Sequence, residues 1–316
     1  MRARPVLVDC DPGIDDALAL LLACASPELD LLGVTTVAGN VGVQQTTRNA
    51  LRVLALAGRA DVPVAAGAER PLVRRQKHRA AAVHGADGLG GVELADSPST
   101  VDDRPAVRFM ADAVRGSAAP VTLVAVGPLT NVALLFATYP DEAARLDRLV
   151  VLGGSTGAGN VTPAAEFNVW SDPEAAYRVL SDPGLRRAVP TVLIGLEVTR
   201  ATAVDRAGID RLRSGGSVGE PAARMLDYYL HSHAAPAVVV HDAVAVAEVV
   251  RPGLIDTTAS AVTVDCTDGP GRGGTQVGPR AAERVVDVGM AADSEAVIEM
   301  IVSRVANYEP LTGPVG

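Results

Sequence analysis

The stretch "PVLVDCDPGIDDALALLLA", residues 5–23, contains a complete structural switch. Val6–Val8 form a continuous apolar run rather than an alternating one, as expected of a strand buried on both faces of a parallel sheet. Pro12–Gly13 supply turn residues, and a helix is expected from about Asp15 to Ala25. Asp9, Asp11, Asp15 and Asp16 crowd into this short span, where like charges repel. A helix cap or a favourable end-of-helix dipole explains one acid, or two. It does not explain Asp11 facing them. A hard divalent cation does, because carboxylates, carbonyls and water are the ligands that calcium and magnesium prefer.

The same alternation of apolar run and amphipathic stretch continues outward from this segment. Strands are expected at 29–39, 62–67, 120–127, 146–154 and 190–198, with helices between them through "TTRNALRVLALAG", "PAVRFMADAVRG", "LTNVALLFA" and "PEAAYRVLS". This βαβ pattern implies an α/β fold with a mainly parallel sheet and helices on both faces. The last third differs. "MLDYYLHSH", "HDAVAVAEVV" and "SEAVIEMIVSRVAN" read as helices, and 260–277 as a small antiparallel addition around a Gly-rich turn. With no repeat and no Gly, Ser or Pro linker, residues 1–316 are expected to form a single domain. Residues 68–100 are the longest aperiodic stretch, and such loops are often functional.

Composition narrows the partners. The chain has 28 Lys+Arg against 37 Asp+Glu, a net charge of −9, which disfavours nucleic acid. Its one basic cluster, "RRQKHR" at 74–79, reads as a solvated loop. No apolar run is long enough for a membrane span, and the N-terminus lacks signal-peptide features. Three widely spaced cysteines, Cys10, Cys24 and Cys266, make neither a disulfide framework nor a zinc pattern, so a reducing cytoplasm is expected.

In an open parallel sheet, ligands bind beyond the carboxyl ends of the strands. Besides the acidic cluster, Asn40 ends "TTVAGN" after the second strand, and Asp242 follows His241 in "VHDAVAVA". The dipeptide alone is weak evidence. Asn160, Glu166 and Asn168 lie on a polar loop after "VVLGG"; if that loop is extended, Glu166 and Asn168 point to one side, a grouping suited to hydroxyl recognition.

Taken in order, "DCDPGIDDALALLLA", "TTVAGN", "HGADGLGG", "AEFNVWSDPEAA" and "HDAVAVA" resemble the successive motifs of the inosine–uridine-preferring nucleoside hydrolases, across roughly residues 5–310. The resemblance implies a calcium-dependent ribonucleoside hydrolase, active in purine and pyrimidine salvage, that releases ribose and free base. It implies calcium ligands at Asp11, Asp16 and Asp242 and at the Val126 carbonyl. It sets Asp15 and Asn40 against the ribose hydroxyls, and Asn160, Glu166 and Asn168 as the rest of the sugar clamp, with Asn160 and Glu166 toward the 5′-hydroxyl. Water attacks C1′ with Asp11 as base, and His241, able to donate near neutral pH, protonates the leaving base. His84 falls near the base end of the pocket. Relatives commonly form homodimers or homotetramers.

The segment before His241 is shorter than the family's pattern, so Tyr228, Tyr229, His231 and His233 are expected to form a lid, with neither tyrosine catalytic, and base preference stays open. Phe167 and Trp170 are expected to pack rather than stack on a base. Two other classes compete. In a metal-dependent phosphohydrolase, Asp9 and Asp11 would make the acidic pair of an aspartyl-phosphate site. Pro12–Gly13 then stand where a hydroxyl residue is usual, and no rim motif carries the Lys or Arg that phosphate calls for. A calcium-dependent ribose-binding protein would not need both a base and an acid.

Overall fold

A computed structural model describes residues 3–74, 80–182, 189–279 and 285–310. Its main sheet has nine strands: β1 Arg4–Cys10, β2 Leu29–Thr36, β3 Val64–Ala66, β4 Val121–Ala125, β5 Leu146–Leu152, β6 Thr191–Ile194, β9 Ile255–Val264, β10 Thr275–Gly278 and β11 Val286–Ala292. They run side by side in the order β10-β9-β11-β6-β5-β4-β1-β2-β3. The seven strands from β3 to β11 are parallel to one another, while β9 is antiparallel to both of its neighbours. β7 Ala203–Asp205 and β8 Ala237–Val239 make a separate antiparallel pair that the sequence pattern did not suggest.

The fold class is the one expected, and the strand parity explains why. Val6 and Val8 of β1 join an apolar core on one face together with Val124, Val150 and Val192. Leu7 joins the core on the other face with Leu123, Leu149 and Leu193. The helix Ile14–Cys24 is apolar nearly all round because it is buried between the sheet and the helix His241–Val250. Leu18, Leu20, Leu21 and Leu22 are each at most 2% exposed. Burial of each such side chain contributes roughly 1.5–3 kcal/mol.

Strand order reverses beside β1. β2 and β3 lie to one side of it, and β4, β5 and β6 to the other. The chain therefore leaves the carboxyl ends of β1 and β4 toward opposite faces of the sheet, which opens a crevice above them, the usual ligand site of a doubly wound sheet. Asp11 and Val126 stand at those two ends.

Two local expectations fail. The run 190–198 is a strand only over Thr191–Ile194, because Leu196–Thr199 turns into one helical turn. Glu166 and Asn168 are not on an extended segment either. Glu166 caps the short helix Phe167–Ser171, in which Asn168 lies. In the 74–79 cluster Arg74 is exposed and paired with Asp268, and the rest lies outside the described residues.

Toward the amino ends of the strands, away from the crevice, Glu248 is 2% exposed. It accepts a hydrogen bond from Arg148 at 2.9 Å and others from the Gly253 and Ile255 amides at 3.2 Å. Glu248→Ala strips those donors of their acceptor, which costs ~1–3 kcal/mol per stranded buried group. Arg148 can turn to water, so we expect a net loss of ~2–3 kcal/mol. A urea midpoint unchanged from wild type would contradict this.

Candidate active site

A cavity of about 490 Å³ opens at the switch point, within the range of small-molecule sites. Its walls include Asp11, Asp15, Asn40, His84, Val126, Asn160, Glu166, Asn168, His241 and Asp242, so ten sequence-selected residues from distant segments converge here. Asp16 lies beneath the floor and is fully buried. No Lys or Arg occurs among the described wall residues.

Local geometry explains how the acids are held. Asp16 accepts hydrogen bonds from the Gly13 amide at 2.9 Å and the Asp11 amide at 3.0 Å, and so caps its own helix while bracing the end of β1. Asp11 Oδ2 accepts from the Asn40 amide at 2.6 Å. Carboxylate oxygens of Asp15, Asp16 and Asp242 come within 4.8 Å of one another. Asp15, Asp16 and Asp242 thus form the tightest acidic set, with Asp11 beside it. Burial first, then the negative charge of Asp16, pushes Asp11 well above the usual carboxylate range. Burial, then Asp15 and Asp16, does the same to Asp242. Burial raises Asp15 to about 6, and burial with the Asp15 charge raises Asp16 to about 6.

Asp9 stands behind this group. Its Oδ1 accepts from Thr35 Oγ1 at 2.6 Å and Asn131 Nδ2 at 2.8 Å. Its Oδ2 has no hydrogen-bond partner among the described residues. Burial raises the group to about 7 against those two bonds, which lessens the negative charge behind Asp11.

The two amides are oriented by what their nitrogens do. Asn40 Nδ2 donates to the Asp11 carbonyl at 3.2 Å and to Asp16 Oδ2 at 3.1 Å. Asn168 Nδ2 donates to the Val126 carbonyl at 2.7 Å and the Leu152 carbonyl at 3.3 Å. Each amide thereby keeps Oδ1 as an acceptor for the cavity. Glu166 accepts from the amides of Gly154 and Asn168 at 2.9 Å and of Val169 at 3.1 Å. An ionised carboxylate has about four acceptor positions, so one remains. Asn160 is exposed at the rim, where its Oδ1 accepts from the Phe167 amide at 2.9 Å.

Both cavity histidines are held through Nδ1. His84 Nδ1 accepts from the Ile14 amide at 3.1 Å, which places the ring proton on Nε2. The Thr199 hydroxyl lies 2.8 Å from His241 Nδ1 and 3.4 Å from the Gly195 carbonyl, so Thr199 occupies Nδ1 and leaves Nε2 as the ring nitrogen that can meet a ligand. Burial lowers both rings to about 4, so in the free site they are neutral. This differs from a histidine poised near neutral pH, the expectation for His241 from the sequence.

Of the segment before His241, Tyr229 and His233 reach the cavity, stacked at 4.5 Å between ring centroids. Tyr228 instead lies against Gly90, and His231 is exposed and bonded to the Asp227 carbonyl at 2.6 Å. Phe167 and Trp170 line the cavity rather than only packing. Sequence reasoning missed Thr199, which sits in no polar motif, and Ile14, which acts through a main-chain amide that its side chain does not signal.

An acid-rimmed, cation-poor cavity at the switch point of a doubly wound sheet defines a metal-assisted hydrolase of neutral substrates. The chain belongs to the inosine–uridine preferring nucleoside hydrolases, whose family model matches residues 6–299. It is 39% identical over 316 residues to the pyrimidine-specific ribonucleoside hydrolase RihA of Photobacterium profundum, covering 97% of this chain and 100% of that protein. It is 43% identical over 260 residues to RihA of a Shewanella species, covering 80% of each. Among solved structures, it is similar to a purine-preferring ribonucleoside hydrolase from Gardnerella vaginalis, with a TM-score of 0.90, 30% identity and coverage of 96% and 99%. A plant nucleoside hydrolase superposes with a TM-score of 0.89 at 32% identity, over 96% and 99% of the two chains. The chain is therefore an N-glycosidase that hydrolyses ribonucleosides to ribose and free base. Among the described residues no helix is long and apolar enough to cross a membrane.

Proposed function

We propose that the acidic set holds a calcium ion and that Asp11 and His241 act on opposite sides of the N-glycosidic bond. The observation that carries this reading is the concentration of buried carboxylates, none neutralised by a described Lys or Arg. The donor chemistry fits a hard cation. Asp11, Asp15, Asp16 and Asp242 offer only oxygen, and the Val126 carbonyl has a lone pair left after its bond to Asn168. Asp11, Asp16, Asp242 and the Val126 carbonyl would hold the ion. When bound, calcium supplies positive charge at the 2′ and 3′ hydroxyls of ribose.

The chain's own groups do the rest. Asp15 and the Asn40 Oδ1 accept hydrogen bonds from the vicinal hydroxyls. Asn168 Oδ1 accepts from the sugar, and Asn160 and the spare acceptor position of Glu166 meet the 5′-hydroxyl. Asp11 takes a proton from the water that attacks C1′, where positive charge develops as in other glycosidases. His241, once it has taken a proton from solvent as the imidazolium, donates it from Nε2 to the departing base, whose growing negative charge draws it, and returns to the neutral ring. His84 offers a second N–H donor at the base end of the cavity. Pyrimidine ribonucleosides are the preferred substrates. In support, the RihA relatives are 39–43% identical and the purine-preferring structure 30%.

The test is ribose release from a ribonucleoside panel, with and without chelator. Activity is expected to vanish with chelator and return with calcium. Uridine is expected to exceed 2′-deoxyuridine by roughly 10- to 150-fold in kcat/KM, since a hydrogen bond to a charged group is worth ~1.5–3 kcal/mol. Equal rates on the two would refute diol recognition, and full activity in chelator would refute the metal.

A further inference from the structure

The antiparallel hairpin β9–β10 adds nothing to the crevice itself, yet its inner end reaches back to the sugar side of the cavity. Gly274 forms an antiparallel bridge with Ala165, one residue before Glu166. Thr275, 8% exposed, then meets the loop that leads from β5 to Asn160. Its Oγ1 donates to the Ser155 carbonyl at 2.6 Å and accepts from the Ser155 amide at 2.8 Å. One hydroxyl thus satisfies both main-chain groups of a loop residue. The preceding Gly154 has φ +74°, and a Cβ there would come 3.0 Å from Thr275 Oγ1, so the approach needs glycine.

The same loop is held from its other side. Glu197, in the helical turn Leu196–Thr199, accepts from Ser155 Oγ at 2.7 Å and from the Gly157 amide at 2.8 Å. Arg200 donates to the Gly159 carbonyl at 3.0 Å. Residues 156–158 between these anchors are exposed and make no core of their own. The two ends of the loop are joined directly to the sugar clamp. The Gly154 amide donates to Glu166 at 2.9 Å, and Asn160 accepts from the Phe167 amide at 2.9 Å.

We propose that Thr275, together with Glu197, is a positioning residue that sets the 5′-hydroxyl end of the sugar clamp. The inference rests on the assignment of Asn160 and Glu166 to the 5′-hydroxyl made above. Thr275 touches no substrate. It acts by fixing Ser155, and through that loop the two groups that do. A purely structural role for the same bonds would lower the melting temperature without changing how the enzyme weighs a 5′-hydroxyl.

The experiment compares wild type, Thr275→Val and Thr275→Ser on uridine and 5′-deoxyuridine. Val keeps the shape and removes both bonds, whereas Ser keeps the hydroxyl. Wild type should prefer uridine. In Thr275→Val the ratio of the two kcat/KM values should fall roughly tenfold, the worth of one ordinary hydrogen bond. The loss should fall on uridine, with 5′-deoxyuridine changed less than about twofold. Thr275→Ser should restore the ratio. A Thr275→Val enzyme with the wild-type ratio overturns the proposal and leaves the clamp assignment standing. A wild-type ratio near one overturns the clamp assignment, and the proposal with it. Should Thr275→Val not fold, Thr275→Ala removes the same two bonds and leaves room for water to meet the Ser155 main chain. An unchanged ratio in that folded variant overturns the proposal equally.

Discussion

Gly39→Ala is expected to lower kcat/KM for uridine by ~100-fold or more while the protein still folds. Gly39 follows β2, and a Cβ on it would lie 2.0 Å from Asp11 Oδ2. On the opposite side, a Cβ on Gly127 would lie 2.7 Å from Asp11 Oδ1. The Asp11 carboxylate therefore sits in a slot whose two walls are glycines after β2 and β4. It cannot retreat from a new methyl, because Gly127 blocks one side and the Asn40 amide grips Oδ2 at 2.6 Å. Either Asp11 leaves its position or the end of β2 shifts and takes Asn40 with it. Both outcomes misplace the proposed base relative to C1′, and a misplacement on the order of 1 Å can cost ~10² in rate. Calorimetric titration with calcium should weaken in parallel, while the melting temperature reports whether the fold survives. A folded Gly39→Ala enzyme with wild-type turnover and calcium affinity would show that the slot is not required.

The other large effect belongs to His241. His241→Ala should cut uridine turnover by ~10²–10⁴, the usual worth of a positioned general acid. The same change should cost p-nitrophenyl riboside less than about tenfold, because its leaving group departs without a proton. The structure sharpens the reason. Thr199 occupies Nδ1 at 2.8 Å and leaves Nε2 to meet the base, and burial keeps the ring neutral until the developing charge of the leaving base favours the imidazolium that donates the proton. Equal losses on both substrates would assign His241 to binding or packing instead of proton donation.

Much of this site was legible in the residues. The spacing of Asp11 and Asp16 across a Pro-Gly turn, after an unbroken apolar run, places one acid on a strand end and the other in the first turn of a helix. That relation is local, and local spacing is what a sequence displays. His241 and Asp242 were visible for the same reason, as neighbours at the start of a helix. Glu166 and Asn168 were found by type but assigned the wrong local shape. Nothing in "AEFNVW" announces that Glu166 caps a helix with its own side chain, since such a cap is recognised by the Asn168 and Val169 amides it collects. Gly39, Gly127, Thr199 and Thr275 could not be found at all. Each is an ordinary residue whose importance lies in a contact with a segment distant in the chain.

The sequence by itself determined the alternation of buried strands and helices and the residue types that gather at strand ends, because periodicity and turn chemistry are short-range properties. Only the tertiary structure decided that the strand order reverses beside β1, that Asp15, Asp16 and Asp242 come within 4.8 Å, and which nitrogen of His84 bears the proton. Those facts depend on strand order and on hydrogen bonds between remote segments, which form only when the whole sheet is assembled.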